Sequence, residues 1–163
     1  MNLTPNEFYH IYNRGNNKQK IFFSDDNYIF FLKKIRHQIL PVCKIISYCL
    51  MPNHFHFIVM ATDKSAIERT SFGGNPMQEF PYRLGILLSS YAQAINKQSK
   101  TTGSLFQQKI LLKELENQKK ISGIRNGSLC DKELFFSLTG LTANDVILGV
   151  KAEIDENNIQ KFY

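Results

Sequence analysis

Tryptophan is absent from this chain of 163 residues, and cysteine, proline and histidine are scarce, at three, five and four. The cysteines (Cys43, Cys49, Cys130) form an odd, scattered set with no Cys-x-x-Cys pair. That spacing excludes a disulfide framework and a thiolate zinc site, and leaves them as reduced structural thiols. No apolar run approaches the roughly 18 residues that a membrane helix needs. The opening Met1-Asn2-Leu3-Thr4-Pro5-Asn6-Glu7 lacks both the basic and the apolar regions of a signal peptide. The expected location is therefore cytoplasmic, with no membrane partner. Internal repeats and low-complexity tracts are also missing. What the chain does have is 43% hydrophobic residues, including 13 Phe and 7 Tyr, the composition of a folded protein.

The net charge of +6 is unevenly spread. Residues 121–163 hold four basic side chains against six acidic ones, whereas residues 1–120 hold 16 against eight. A surface of that sign suits a polyanion, of which nucleic acid is the commonest in a cytosol. The plain alternative is a basic face that is simply solvated.

Periodicity divides the chain into elements. Glu7 to Asn13 alternates and is rich in aromatics, which reads as a strand followed by a turn at Asn13-Arg14-Gly15-Asn16-Asn17. Ser24 is placed to cap a helix with Asp25 and Asp26 in its first turn. Tyr28, Phe31, Leu32, Ile35 and Ile39 then mark one helical face, ended by Pro41. Lys44 to Leu50 and Phe55 to Met60 read as an antiparallel hairpin about the turn Met51-Pro52-Asn53. Residues 63–82 read mostly as loop. Leu84, Leu87, Leu88, Tyr91 and Ile95 mark a second helix from Arg83 to Gln98, Ser104 to Leu112 a last strand, and Lys113 to Lys120 a charged helix. Strand, helix, hairpin, helix, strand is the order of an α+β ferredoxin-like sandwich, an antiparallel sheet with helices on one face. The division expected is one domain over residues 1–120 and a short helical C-terminal tail over 121–163.

The run Met51-Pro52-Asn53-His54-Phe55-His56-Phe57-Ile58-Val59 puts two imidazoles at i and i+2 of a strand. Side chains in a strand alternate faces, so His54 and His56 share one face while Phe55, Phe57 and Val59 share the other. Two nitrogens placed in this way can meet one metal ion. A partly buried histidine pair with no ligand is the competing reading of the same spacing.

Four strings stand in order along the chain: Tyr9-His10-Ile11-Tyr12-Asn13-Arg14-Gly15-Asn16, then Ile21-Phe22-Phe23, then Cys49-Leu50-Met51-Pro52-Asn53-His54-Phe55-His56, then Gly103-Ser104-Leu105-Phe106-Gln107-Gln108-Lys109. They resemble the landmarks of the single-tyrosine HUH transposases, which include insertion-sequence enzymes and REP-associated tyrosine transposases. The resemblance spans about residues 7–112 and implies a ferredoxin-like fold that cleaves single-stranded DNA beside a hairpin. It implies a divalent ion, Mg²⁺ or Mn²⁺, on His54 and His56, acting as a Lewis acid on the scissile phosphate. Arg14, Gln107 and Lys109 are the matching candidates for DNA contact. The family's nucleophile lies in a Tyr-Ile-x-x-Asn-Pro string that this sequence does not contain, so the resemblance assigns no catalytic residue here. Of the tyrosines after the histidine pair, Tyr91 falls on the apolar face of its helix, Tyr82 beside Pro81, and Tyr163 at the last position. Two other readings follow: a DNA hairpin-binding relative without catalysis, and a metal-dependent phosphoesterase. The family includes both monomers and homodimers, which leaves the oligomeric state open.

Overall fold

The computed structural model describes residues 2–71 and 73–115. Strand β1 (Phe8–Arg14) leads through a 3₁₀ turn (Asn16–Lys18) to helix α1 (Asp25–Gln38). The hairpin of β2 (Cys43–Met51) and β3 (His54–Ala61) follows, then a short helix α2 (Asp63–Ala66). A small hairpin, β4 (Glu68–Thr70) and β5 (Pro76–Gln78), runs into helix α3 (Glu79–Ser99), and β6 (Leu111–Glu114) comes last. The main sheet has the order β2-β3-β1-β6, and every pairing in it is antiparallel. The architecture is the expected α+β ferredoxin-like sandwich.

Both long helices cover one face of the sheet. Phe31 and Ile35 of α1 join Leu84, Leu87, Tyr91 and Ile95 of α3 in a core with Ile11, Tyr48, Leu50, Phe55, Phe57 and Val59. The spacing of three to four residues that marked each helix is what brings these side chains into one stripe. Ser24 is the N-cap residue of α1, with Asp25 and Asp26 in its first turn, as read from the sequence. The cap interaction differs in detail: the Asn27 side chain, and not that of Ser24, accepts a bond from a neighbouring backbone N–H, that of Phe23, at 3.0 Å.

Three expectations need correction. The stretch over 63–82 contains α2, the β4–β5 hairpin and the first turn of α3, which begins at Glu79. Glu79 fixes that turn by pairing with Arg83 at 2.5 Å and Arg69 at 2.6 Å, and Arg69 lies over the Tyr82 ring at 3.6 Å. The last strand is Leu111–Glu114 and does not start at Ser104; within Ser104 to Ile110 the sheet pairing is limited to the isolated bridge Gly15↔Phe106. Lys113 and Glu114 are strand and not helix, because they pair with His10 and Tyr9 of β1. The rest of the expected charged helix, and the tail over 121–163, lie outside the described residues.

The β2–β3 turn is tied to the segment after β1. The Pro52 carbonyl accepts from the N–H groups of Ile21 and Phe22 at 2.7 and 3.1 Å, and the Asn53 carbonyl accepts from Gly15 at 2.8 Å. Gly15 is required at that crossing, since a Cβ there would run into the Gln19 carbonyl. The turn carrying the histidine pair is thus held from outside the hairpin as well as by it.

Candidate metal centre

The face of the sheet away from α1 and α3 carries a small grid of chemically active side chains. Directly opposed residues of an antiparallel pair point to the same side. Along β3 this face presents His54, His56 and Ile58. Opposite them stand Arg14, Tyr12 and His10 on β1, and Met51, Cys49 and Ser47 on β2. Lys113 of β6 faces His10. Phe55, Phe57 and Val59 take the other face and enter the core, which is the alternation read from the sequence.

The imidazoles are close neighbours. The His54 and His56 rings meet edge to face at 5.1 Å between centroids. His10 and His56 stack at 5.0 Å, with His10 Nε2 2.7 Å from His56 Nδ1. Tyr12 lies against both members of the pair, 4.6 Å from His56 and 5.8 Å from His54.

Whether these residues suit a metal ion is decided by which nitrogens carry lone pairs. His54 Nδ1 lies 2.6 Å from Asn53 Oδ1. The same amide directs its Nδ2 to the Lys18 carbonyl at 3.4 Å, so the oxygen is the atom that faces the ring. An amide oxygen only accepts, so His54 Nδ1 carries the proton and Nε2 the lone pair. His56 is 4% exposed, and its Nε2 is buried with no hydrogen-bond partner. A buried orphan nitrogen on His56 beside the His54 imidazole fits the donor set of a histidine-bound divalent ion, and Mn²⁺ tolerates imidazole better than Mg²⁺ does. Cys49, opposite His56, adds no thiolate, because burial pushes its thiol up to about 11. Among the described residues no group of three or more His, Cys, Asp or Glu could hold an ion. The pair would supply two ligands and leave the remaining positions to oxygen.

Burial, with Lys113 nearby, lowers the His10 pKa to about 4, and burial with its neighbours His10 and His54 lowers that of His56 to about 3. Both rings are therefore neutral at neutral pH, the state in which imidazole ligates. The linkage to folding has a definite sign. As pH falls below the ordinary 6.5, the unfolded chain takes up these protons before the folded one does. The contribution to stability is complete above pH 6.5 and is lost as pH falls toward about 4 for His10 and about 3 for His56. The urea midpoint of the metal-free protein is expected to drop across that window, and a flat profile would contradict the burial of the pair.

The other expected contacts sort differently. Arg14 is paired with His54 across β1 and β3, on the same face, and its Nε is buried without a partner. Gln107 is held near it, its N–H bonded to the Arg14 carbonyl at 2.9 Å and its carbonyl to Asn13 Nδ2 at 3.2 Å. Lys109 is exposed, and nothing draws it to the histidines. Tyr91 is a core residue, as its place in the helix implied: it is fully buried and donates its hydroxyl to the Ile21 carbonyl at 2.7 Å. Burial pushes its pKa far up, which disfavours a phenolate. Tyr163 lies outside the described residues. Sequence reading missed Tyr12 as a neighbour of the pair, although His10, Tyr12 and Arg14 alternate onto one face of β1.

No family model matches the chain, and no curated protein sequence does. Among solved structures it is similar to a REP-associated tyrosine transposase bound to a REP hairpin, with a TM-score of 0.51 at 11% identity. The match covers 76% of this chain and 64% of that one. At that identity the likeness establishes the fold alone, and the chain spans about two thirds of that transposase's length. No helix among the described residues is long and apolar enough to cross a membrane.

Proposed function

We propose that this chain is a transposase-like DNA-binding protein of the HUH type, which holds single-stranded hairpin DNA against a divalent ion on His54 and His56. The observation that carries this reading is the buried, unpartnered His56 Nε2, set beside His54 and Arg14 on one sheet face. The fold shared with a hairpin-bound transposase and the excess positive charge of residues 1–120 support it. The bound ion would supply Lewis-acid polarisation of a phosphodiester. His54 and His56 would hold it, Arg14 would meet a phosphate oxygen, and Gln107 and Lys109 lie on the segment that would border the strand.

The phosphoesterase alternative needs further ligands to activate water, and the described residues offer no larger cluster. A DNA-binding relative without catalysis is favoured by the described tyrosines that follow the pair, since Tyr91 is locked in the core and Tyr82 is packed beneath Arg69.

Incubation with Mn²⁺ and labelled hairpin DNA, followed by a denaturing gel, tests the catalytic part. The placement of Tyr82 and Tyr91 leads us to expect a gel shift without a covalent band; a band, unchanged in Tyr91→Phe, would show that a nucleophile exists, and peptide mapping would name its tyrosine. No band, with a gel shift intact, leaves a DNA-binding protein and removes the strand-cleaving one. Loss of both would remove the DNA reading altogether.

A further inference from the structure

We infer that His10 is a positioning residue: its Nε2 accepts the Nδ1–H of His56 and so fixes the lone pair of His56 on Nε2, facing the proposed ion. The inference rests on the metal reading above and adds a role for a residue that does not itself ligate.

Two neutral imidazoles in contact at 2.7 Å share one proton, and there are two ways to place it. If His10 donates, His56 must carry its own proton on Nε2, a buried N–H with no acceptor. If His56 donates, its Nε2 is a bare lone pair, and the proton of His10 moves to Nδ1. His10 Nδ1 is not among the buried atoms that lack a partner, so it can carry that proton without penalty. A buried nitrogen left unpaired is costly whether it is a donor or an acceptor, but only the bare acceptor can be satisfied by a cation. The second arrangement is therefore the one that the proposed ion requires.

The fold makes the contact specific. His10 stands opposite Ile58, so His56 is its diagonal neighbour across the β1–β3 ladder, and the two rings stack within 11° of parallel. Tyr12, directly opposite on β1, also lies against the His56 ring at 4.6 Å, which limits its freedom to turn. His10 Nε2 is committed to His56, so the same atom cannot also hold an ion. A carboxylate, carbonyl or water usually receives the second N–H of a ligating histidine. Here a second histidine takes that place, and unlike a carboxylate it brings no negative charge to a face that would meet DNA.

Long-range ¹H–¹⁵N correlation on the full-length, metal-free protein at neutral pH reads the tautomer directly. The parent is expected to show His56 protonated at Nδ1. His10→Phe keeps a stacking ring but removes the acceptor, and is expected to release His56 to the Nε2–H form. His10→Gln places an amide oxygen where the imidazole Nε2 was, and is expected to restore Nδ1–H. Mn²⁺ affinity by calorimetry should follow, falling about 10- to 100-fold in His10→Phe and recovering in His10→Gln. An Nε2–H form in the parent would overturn the inference, as would a tautomer or an affinity unmoved by His10→Phe. If the parent itself binds no Mn²⁺, the metal reading fails, while the tautomers of the three proteins still decide what His10 does.

Discussion

Replacing His54 and His56 together by alanine is expected to abolish the proposed Mn²⁺ binding while the chain stays folded. The loss follows because both nitrogens are removed and the described residues contain no cluster that could take their place. The fold survives because the pair lies on the face away from the helices. Phe55, Phe57 and Val59, which interleave with it, are the residues that join the core. The cost to stability should be that of ordinary substitutions, about 1–3 kcal/mol in total, against the roughly 5–15 kcal/mol that holds a domain folded. Calorimetric titration together with a thermal melt checks both halves. Undiminished affinity in a folded double variant would retire the metal centre.

The second large effect is on stability. Phe31→Ala is expected to cost about 3–5 kcal/mol, the usual loss for a buried phenylalanine, and to lower the melting temperature by about 6–20 °C. Phe31 is fully buried at the junction of both helices and the sheet. Its ring meets Tyr91 at 4.9 Å, Phe22 at 5.2 Å, Phe55 at 5.4 Å and Phe57 at 6.4 Å. No flexible neighbour among these can fill the space left behind. Because Phe55 and Phe57 flank His56 in β3, the loosened packing acts on the strand that carries the candidate ligand. A melt displaced by only a few degrees would mean that this aromatic cluster repacks.

The long elements could be read from the sequence because each repeats its apolar signal several times. Tyr28, Phe31 and Ile35, or Leu84, Leu87 and Tyr91, state a period that chance seldom produces. The segments that were misread are too short to show a period, or are held by partners far along the chain. Glu68–Thr70 and Pro76–Gln78 have three residues each. The stretch after Gly103 is held chiefly by side chains of the segment around β1: Asn13 Nδ2 to Gln107 O, Asn16 Nδ2 to Ser104 O, and Gln19 Nε2 to Leu105 O. The same distinction governs the site. His54 and His56 are two positions apart, and their common face follows from strand geometry alone. His10 is 46 positions from His56, and only the register of β1 on β3 brings the two rings together.

That separation also sets an order in time. The β2–β3 hairpin closes over a few residues, so both imidazoles of the pair can stand side by side before the rest of the sheet exists. Strand β1 reaches them only after α1 has folded back, and β6 must return from beyond α3, closures that cost more entropy and come more slowly. A half-assembled chain thus has both imidazoles side by side while their rings still turn freely. Docking of the first strand between the third and the sixth is the event that brings His10 and Tyr12 against them.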